Sequence, residues 1–337
     1  MTARKPSKLA IGDTIGIVSP SSAIPSENPS RLKKGINGLS KLGYKVKLGR
    51  FVTNKLGYMA GSVQERVQDI HDMFEDPAVD AIICTIGGYS SNQLIEHLDY
   101  NLIRKNPKIF MGFSDVTNLL LAINSKTDLI TFHGPMVMTQ FGETPQILPF
   151  ILRNMEKVIW QTSNLTILEA SSEWTDEYLD WKKELDIRPR NMVKTKGWNV
   201  LKEGNVQALL IGGNLRSLQG LLGTEFLRSL DGSILFWEET QTNIPSIDRT
   251  LTYLHLSGAL KNLKGMIVGR LGNEIEFPEP DYTLEKCISR VTQQYDFPVI
   301  LNVDIGHTDP ILTMPLGVNA RVDTAKCKIA LEEPAVL

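Results

Sequence analysis

The stretch Lys108 to Ile123, KIFMGFSDVTNLLLAI, cannot form a single element. Its apolar opening runs into Gly112, Ser114 and Asp115, which favour turns and caps over helix interiors, so the chain must bend there. Past the bend, Val116, Leu119, Leu120 and Ile123 recur at three- and four-residue intervals, the stripe with which a helix packs on a sheet. A short buried strand, a tight turn and a helix that starts at once place Ser114 at the top of the sheet. Its hydroxyl then lies beside the free N–H groups of the helix, and those donors, with the helix dipole, can stabilise a developing oxyanion. This is the logic of a nucleophile elbow, although Val116 stands where the G-x-S-x-G pattern has its second glycine. The alternative is that Ser114 or Asp115 does no more than cap the helix.

The elements before and after this stretch alternate. Thr14–Val18 reads as a strand ending in Ser19, Pro20, Ser21 and Ser22, a loop suited either to ligand contact or to a plain turn. Residues 31–42 read as a helix and 45–48 as a second strand. Ser62 opens another helix with Glu65 three residues on, a capping box followed by Val67, Ile70, Met73 and Phe74. The apolar run 81–86 has strand length and ends in Gly87, Gly88 and Tyr89, a helix carrying Leu94, Ile95 and Leu98 follows, and 129–132 is one more strand before His133. Strand and helix in alternation predict an α/β fold whose N-terminal part is a mainly parallel sheet flanked by helices. Ser21, Gly87, Gly88, Ser114 and His133 then share the carboxyl edge, where such sheets carry their functional loops.

Residues 164–204 break the pattern. They hold Trp174, Trp181 and Trp198 among many charges and read as a connecting segment, its tryptophans suited to stack on a flat ligand group or to pin the loop down. The boundaries expected are 1–163, 164–204 and 205–337. In the last part, strands at 207–211, 233–237, 265–268 and 298–303 alternate with helices at 215–222 and 247–256, and the final thirty residues read as short antiparallel strands, so this part is a mixed domain.

With 337 residues, 42% hydrophobic and 22% charged, and a formal net charge of -2, the chain has the composition of a soluble globular protein without a basic block, which argues against nucleic acid as the main partner. Cys84, Cys287 and Cys327 are far apart and odd in number, giving neither a disulfide framework nor a zinc spacing. Gly12 and Asp13 interrupt what would have to be a signal peptide's apolar core, and no apolar run reaches ~18 residues, so the expectation is a cytoplasmic protein with no membrane contact. No HExxH, EF-hand or Walker pattern supports metal or phosphate-loop chemistry, and no cofactor is expected.

A nucleophilic serine needs a base within hydrogen-bond reach and a group that orients the base. Of five histidines, His71, His97 and His255 fall inside helical patterns. His133 and His307 each follow an apolar run; His133 is explained by the turn it makes with Gly134 and Pro135, whereas His307 in GHTDP has no packing role, which favours it. For the orienting acid, Glu238 and Glu239 follow the run SILFW, while Asp115 is better placed to cap the helix.

GGYSSNQL after a strand, KIFMGFSDVTNLL, ALLIGGNLRSL, ILFWEE and the late GHTDP together resemble the LD-carboxypeptidase and microcin-C immunity family of serine peptidases, in order over nearly the whole chain. The resemblance implies a parallel-sheet N-terminal domain, a C-terminal domain around a small barrel-like sheet, and a homodimer. It makes Ser114 the nucleophile, Glu238 the acid and His307 the base of a triad, with the backbone N–H groups of Gly88 and Asp115 as the oxyanion hole. One branch of the family trims the terminal D-alanine from murein tetrapeptides; the other, the immunity branch, cuts an aminoacyl or peptidyl group from a nucleotide-like sulfamate or phosphoramidate. The Trp-bearing insertion looks more like the immunity branch, with Trp181 matched to the tryptophan that stacks on the nucleobase and Asn214 and Glu274 to substrate-binding positions, Glu274 receiving the α-amino group. The expected activity is therefore that of a serine carboxypeptidase acting on small peptide or aminoacyl-nucleotide substrates. Its alternatives are a murein tetrapeptide carboxypeptidase and a noncatalytic ligand-binding protein.

Overall fold

Most of the short runs of the first half are too apolar to be left at an edge and too short for a helix, so they become inner strands, while the half-charged Lys45–Leu48 takes the outside. In the computed structural model, which describes residues 3–272, 275 and 281–337, these are β1 (Thr14–Val18), β2 (Lys45–Leu48), β3 (Ala81–Cys84), β4 (Ile109–Gly112) and β5 (Thr131–His133). They pair in parallel in the order β5-β4-β3-β1-β2. Every residue of β3 and β4 is buried, as a strand covered on both faces must be. The helix Val63–Glu75 opens with the full capping box of Ser62 and Glu65 and buries Val67, Ile70, Met73 and Phe74. The segment with Leu94 and Ile95 forms a 3₁₀ turn at Ser91–His97 rather than an α-helix.

The segment 164–204 is not structureless. It supplies β6 (Thr166–Leu168), β7 (Glu173–Trp174), β8 (Val193–Lys194) and β9 (Asn199–Lys202). β7 and β8 form a two-stranded sheet of their own, while β6 and β9 become the two opposite edges of the second sheet. Its centre is the parallel set β10 (Asn205–Asn214), β11 (Ser233–Glu238), β12 (Gly265–Gly269) and β13 (Val299–Val303). Of the three late strands, β14 (Met314–Leu316) returns to the first sheet and pairs antiparallel with β5, whereas β15 (Asn319–Asp323) and β16 (Lys328–Leu331) extend the second, giving β6-β16-β15-β10-β11-β12-β13-β9. The chain is thus a mixed α/β protein with a parallel-dominated first sheet and a mixed second one.

The spacing of its apolar residues predicts one buried stripe for the helix after Ser114, Thr117–Thr127, yet Thr117 through Asn124 are all buried. It packs between β4 and β10, and a helix enclosed by two sheets has no polar face to spare. At its start the Thr117 hydroxyl oxygen accepts a 2.9 Å hydrogen bond from the backbone N–H of Asn214, tying the end of β10 to the serine's helix. No described helix is long and apolar enough to cross a membrane.

Candidate active site

Ser114 follows β4 in a 3₁₀ turn over Ser114–Val116, with φ of 62°. A side chain in the left-handed region costs on the order of 1–3 kcal/mol, so the surrounding contacts must hold the turn. Asp115 does much of this, though not as the cap of its own helix: its Oδ2 accepts from the backbone N–H groups of Ser91 (2.8 Å) and Ser90 (3.0 Å) and from the Ser21 hydroxyl (2.6 Å), and its Oδ1 accepts from Asn118 Nδ2 at 3.0 Å. It clamps the loop after β3 against the elbow. That loop passes so near that a Cβ on Gly87 would lie 2.9 Å from both Cβ and Oγ of Ser114 and 3.3 Å from the Asp115 backbone nitrogen. Gly88 follows at φ 150°, and both glycines line the cleft in which Ser114 lies.

Glu238 is the last residue of β11, fully buried and paired in register with Asn214. His307 lies in the loop after β13, and its Nδ1 is 2.6 Å from Glu238 Oε2 while its Nε2 is 3.0 Å from Ser114 Oγ. Gly306, at φ 98°, makes the approach possible, since a Cβ there would stand 2.6 Å from Glu238 Oε2. Burial pushes the Glu238 carboxyl up, but the charge and hydrogen bond of His307 outweigh it and hold the group below the usual carboxylate range. An imidazole so held, with an anion behind it and a hydroxyl before it, can take the hydroxyl's proton during attack.

The rejected candidates have other surroundings. His133 is wholly buried between the rings of Phe113 and Phe236, and burial lowers it to about 4, so it is neutral. Glu239 turns away from His307 to accept from Asn214 Nδ2 and from the backbone N–H groups of Arg216 and Thr240. Asn214 lines the cleft while its Oδ1 caps the following helix at Ser217. Glu274 lies outside the described residues.

The cleft holds about 400 Å³ and is lined by Gly87, Ser114, Asn214, Arg216, Glu239 and His307 among others. A second hollow that shares Phe113 and His307 with the cleft is lined by Tyr178, Trp181 and Arg190. Trp181 is half-buried there, with the Arg31 guanidinium 4.6 Å from its ring centre. The other two tryptophans pin the segment: Trp174 packs on Arg270, and Trp198 donates its Nε1–H to Asp304 at 2.9 Å. Among the described residues, no three His, Cys, Asp or Glu side chains gather as a metal site would need.

Residues 15–134 match the model of the LD-carboxypeptidase N-terminal domain and residues 207–322 that of the C-terminal domain. The chain is 32% identical to the microcin C7 self-immunity protein MccF of Escherichia coli, over 96% of this chain and 94% of that one. It is 33% identical to a probable murein peptide carboxypeptidase of Bacillus subtilis (strain 168), over 97% and 94%. A solved structure of MccF in complex with aspartyl sulfamoyl adenosine superposes with a TM-score of 0.94 at 30% identity, covering 99% of this chain and all of the other.

Proposed function

Because the chain belongs to the LD-carboxypeptidase family of serine peptidases, we propose that Ser114, His307 and Glu238 are its triad and that it cuts the amide-type bond of aminoacyl or peptidyl nucleotides. His307 Nε2 takes the Ser114 proton as Oγ attacks the carbonyl carbon. The negative charge that develops on the carbonyl oxygen is received by the backbone N–H groups of Gly88 and Asp115. Collapse breaks the bond to nitrogen, His307 returns the proton to the leaving nitrogen, and the acyl group stays on Oγ. Water, deprotonated by the same imidazole, then releases the acid and restores the serine. Glu238 holds the ring with Nδ1 protonated and balances the imidazolium that forms twice per turnover. Asn214 contributes on the substrate side through the Nδ2 hydrogen not given to Glu239.

The observation that carries this reading is the unbroken line from Glu238 Oε2 through both nitrogens of His307 to Ser114 Oγ, at 2.6 and 3.0 Å. Trp181, beside His307 in the hollow next to the cleft, favours a leaving group with a flat base. The similarity to a murein peptide carboxypeptidase favours the second reading, release of D-alanine from a murein tetrapeptide. Side-by-side rates on an aminoacyl-sulfamoyl adenosine and a murein tetrapeptide decide between them; a marked preference for the tetrapeptide retires the first. Ser114→Ala should abolish turnover of whichever is cut, by about four decades or more, and hydrolysis at the unmutated rate would refute the mechanism. A noncatalytic binder would leave Ser114 unlabelled by a serine-directed fluorophosphonate. The homodimer is part of the same reading and is checked by light scattering.

A further inference from the structure

The loop that carries His307 is buried on either side of the histidine and closed on itself by a 2.7 Å hydrogen bond from the Leu312 N–H to the Asp304 carbonyl. Gly306 precedes the histidine in a conformation most side chains avoid, and the imidazole is 22% exposed. Both feet of the loop are gripped as well, and a large share of the grip comes from the inserted segment 164–204. At the near foot Asp304, fully buried, accepts at Oδ2 from the Ser171 backbone N–H (3.0 Å) and from Trp198 Nε1 (2.9 Å), while its Oδ1 pairs with Arg270 at 2.7 Å. At the far foot Asp309 exchanges backbone hydrogen bonds with Thr175 in both directions, at 2.7 and 2.8 Å. Its Oδ2 lies 2.7 Å from the guanidinium of Arg190, and its Oδ1 accepts from Gln140 at 3.1 Å. The same guanidinium nitrogen is 2.7 Å from Glu143, so one partly buried cation joins the first half of the chain, the insertion and the histidine loop.

We infer that Arg190 is a positioning residue for His307: through its pairing with Asp309 it fixes the loop bearing the imidazole, so that the segment carrying Trp181 and the base are ordered as one unit. The inference rests on the reading of His307 as the base. A partly buried charge held by two carboxylates has few alternative arrangements, and an ångström of drift at a catalytic base costs far more rate than the same drift at a binding contact.

The test reads activation of Ser114 directly, by the second-order rate of labelling with a small fluorophosphonate. Attack by Oγ on phosphorus expels fluoride while the base takes the proton, and the probe is too small to need Trp181. The wild-type protein should label. Failure of wild type to label overturns the catalytic reading itself, and the inference with it. Given that it labels, Asp309→Asn, which keeps the bond from Gln140 and the backbone pair but drops the charge, should label at least about tenfold more slowly. Arg190→Gln should do the same. Arg190→Lys, whose ammonium can still sit between the two carboxylates, should recover most of the rate. Lys183→Gln, in the same segment with an exposed side chain, should change nothing. Thermal unfolding is followed for each: if Arg190→Gln does not fold, Asp309→Asn and Arg190→Lys carry the comparison. Asp309→Asn labelling at the wild-type rate, or Lys183→Gln slowing labelling as much as Arg190→Gln, would overturn the inference.

Discussion

Replacing Glu238 by glutamine removes one charge from a fully buried site and leaves its volume almost unchanged. In the resting enzyme the carboxylate accepts from His307 Nδ1 at 2.6 Å. Under the proposed mechanism His307 takes the serine's proton and the ring becomes a cation whose charge centre lies about 4 Å from the carboxylate's; at an effective dielectric of about 20 that attraction is about 4 kcal/mol. It exists only once the proton has moved, so its loss raises the barrier and leaves substrate binding alone, lowering kcat by about three decades. A glutamine can also turn its NH₂ toward Nδ1. That would hold the ring with its proton on Nε2, where it cannot accept another, and such tautomer trapping brings the loss in comparable triads to ~10⁴. Glu238→Gln should therefore show kcat lowered between ~10³- and ~10⁴-fold at an unchanged KM, with a parallel fall in fluorophosphonate labelling and an unfolding temperature near that of wild type. Activity within tenfold of wild type in a folded variant would refute the assignment of Glu238 as the group that orients and balances the base.

Two further substitutions probe the neighbouring packing. Gly87→Ala puts a methyl group 2.9 Å from Ser114 Oγ and 3.3 Å from the Asp115 nitrogen; if the oxyanion forms beside Gly88 and Asp115, kcat should fall by about 10²–10³, and steady-state rates that stay near wild type would move the oxyanion elsewhere. His133, held down to about 4 by burial against an unfolded value of ~6.5, contributes stability that is whole above ~6.5 and is lost as the pH falls toward 4, a change of about 3 kcal/mol. Denaturant unfolding of His133→Leu beside wild type, from pH 7 to 4, should show the wild type losing about that much more stability; parallel curves would mean the imidazole finds its proton in the folded state.

What could be read along the chain was whatever local chemistry decides. β1 and β3 fall where their apolar runs place them, Ser62 and Glu65 cap as a pair, and Ser114 sits in a turn because Gly112 and Asp115 flank it. Ser114, Glu238 and His307 each stand at the end of an apolar run, which is why three residues so far apart were legible as candidates; in the fold, hydrogen bonds link the first two through the ring of the third. What escaped depends on partners far away in sequence. Asp115 reads as the cap of its own helix because nothing local shows the amides of Ser90 and Ser91 turned toward it. The insertion reads as irregular because its strands are two to four residues long and its order comes from ion pairs such as Arg31 with Asp186 and Arg190 with Asp309, which leave no periodicity. The return of β14 to the first sheet is a three-residue pairing with no signal of its own.

That return bears on how the protein is made. As the nascent polypeptide leaves the ribosome, the sheet beneath Ser114 waits for its outermost strand until residues 314–316 have been synthesised, and the imidazole that faces the hydroxyl arrives 193 positions after it. A chain translated only through its first half therefore carries an idle serine, and whatever reactivity the folded molecule has waits on residues made long after the nucleophile.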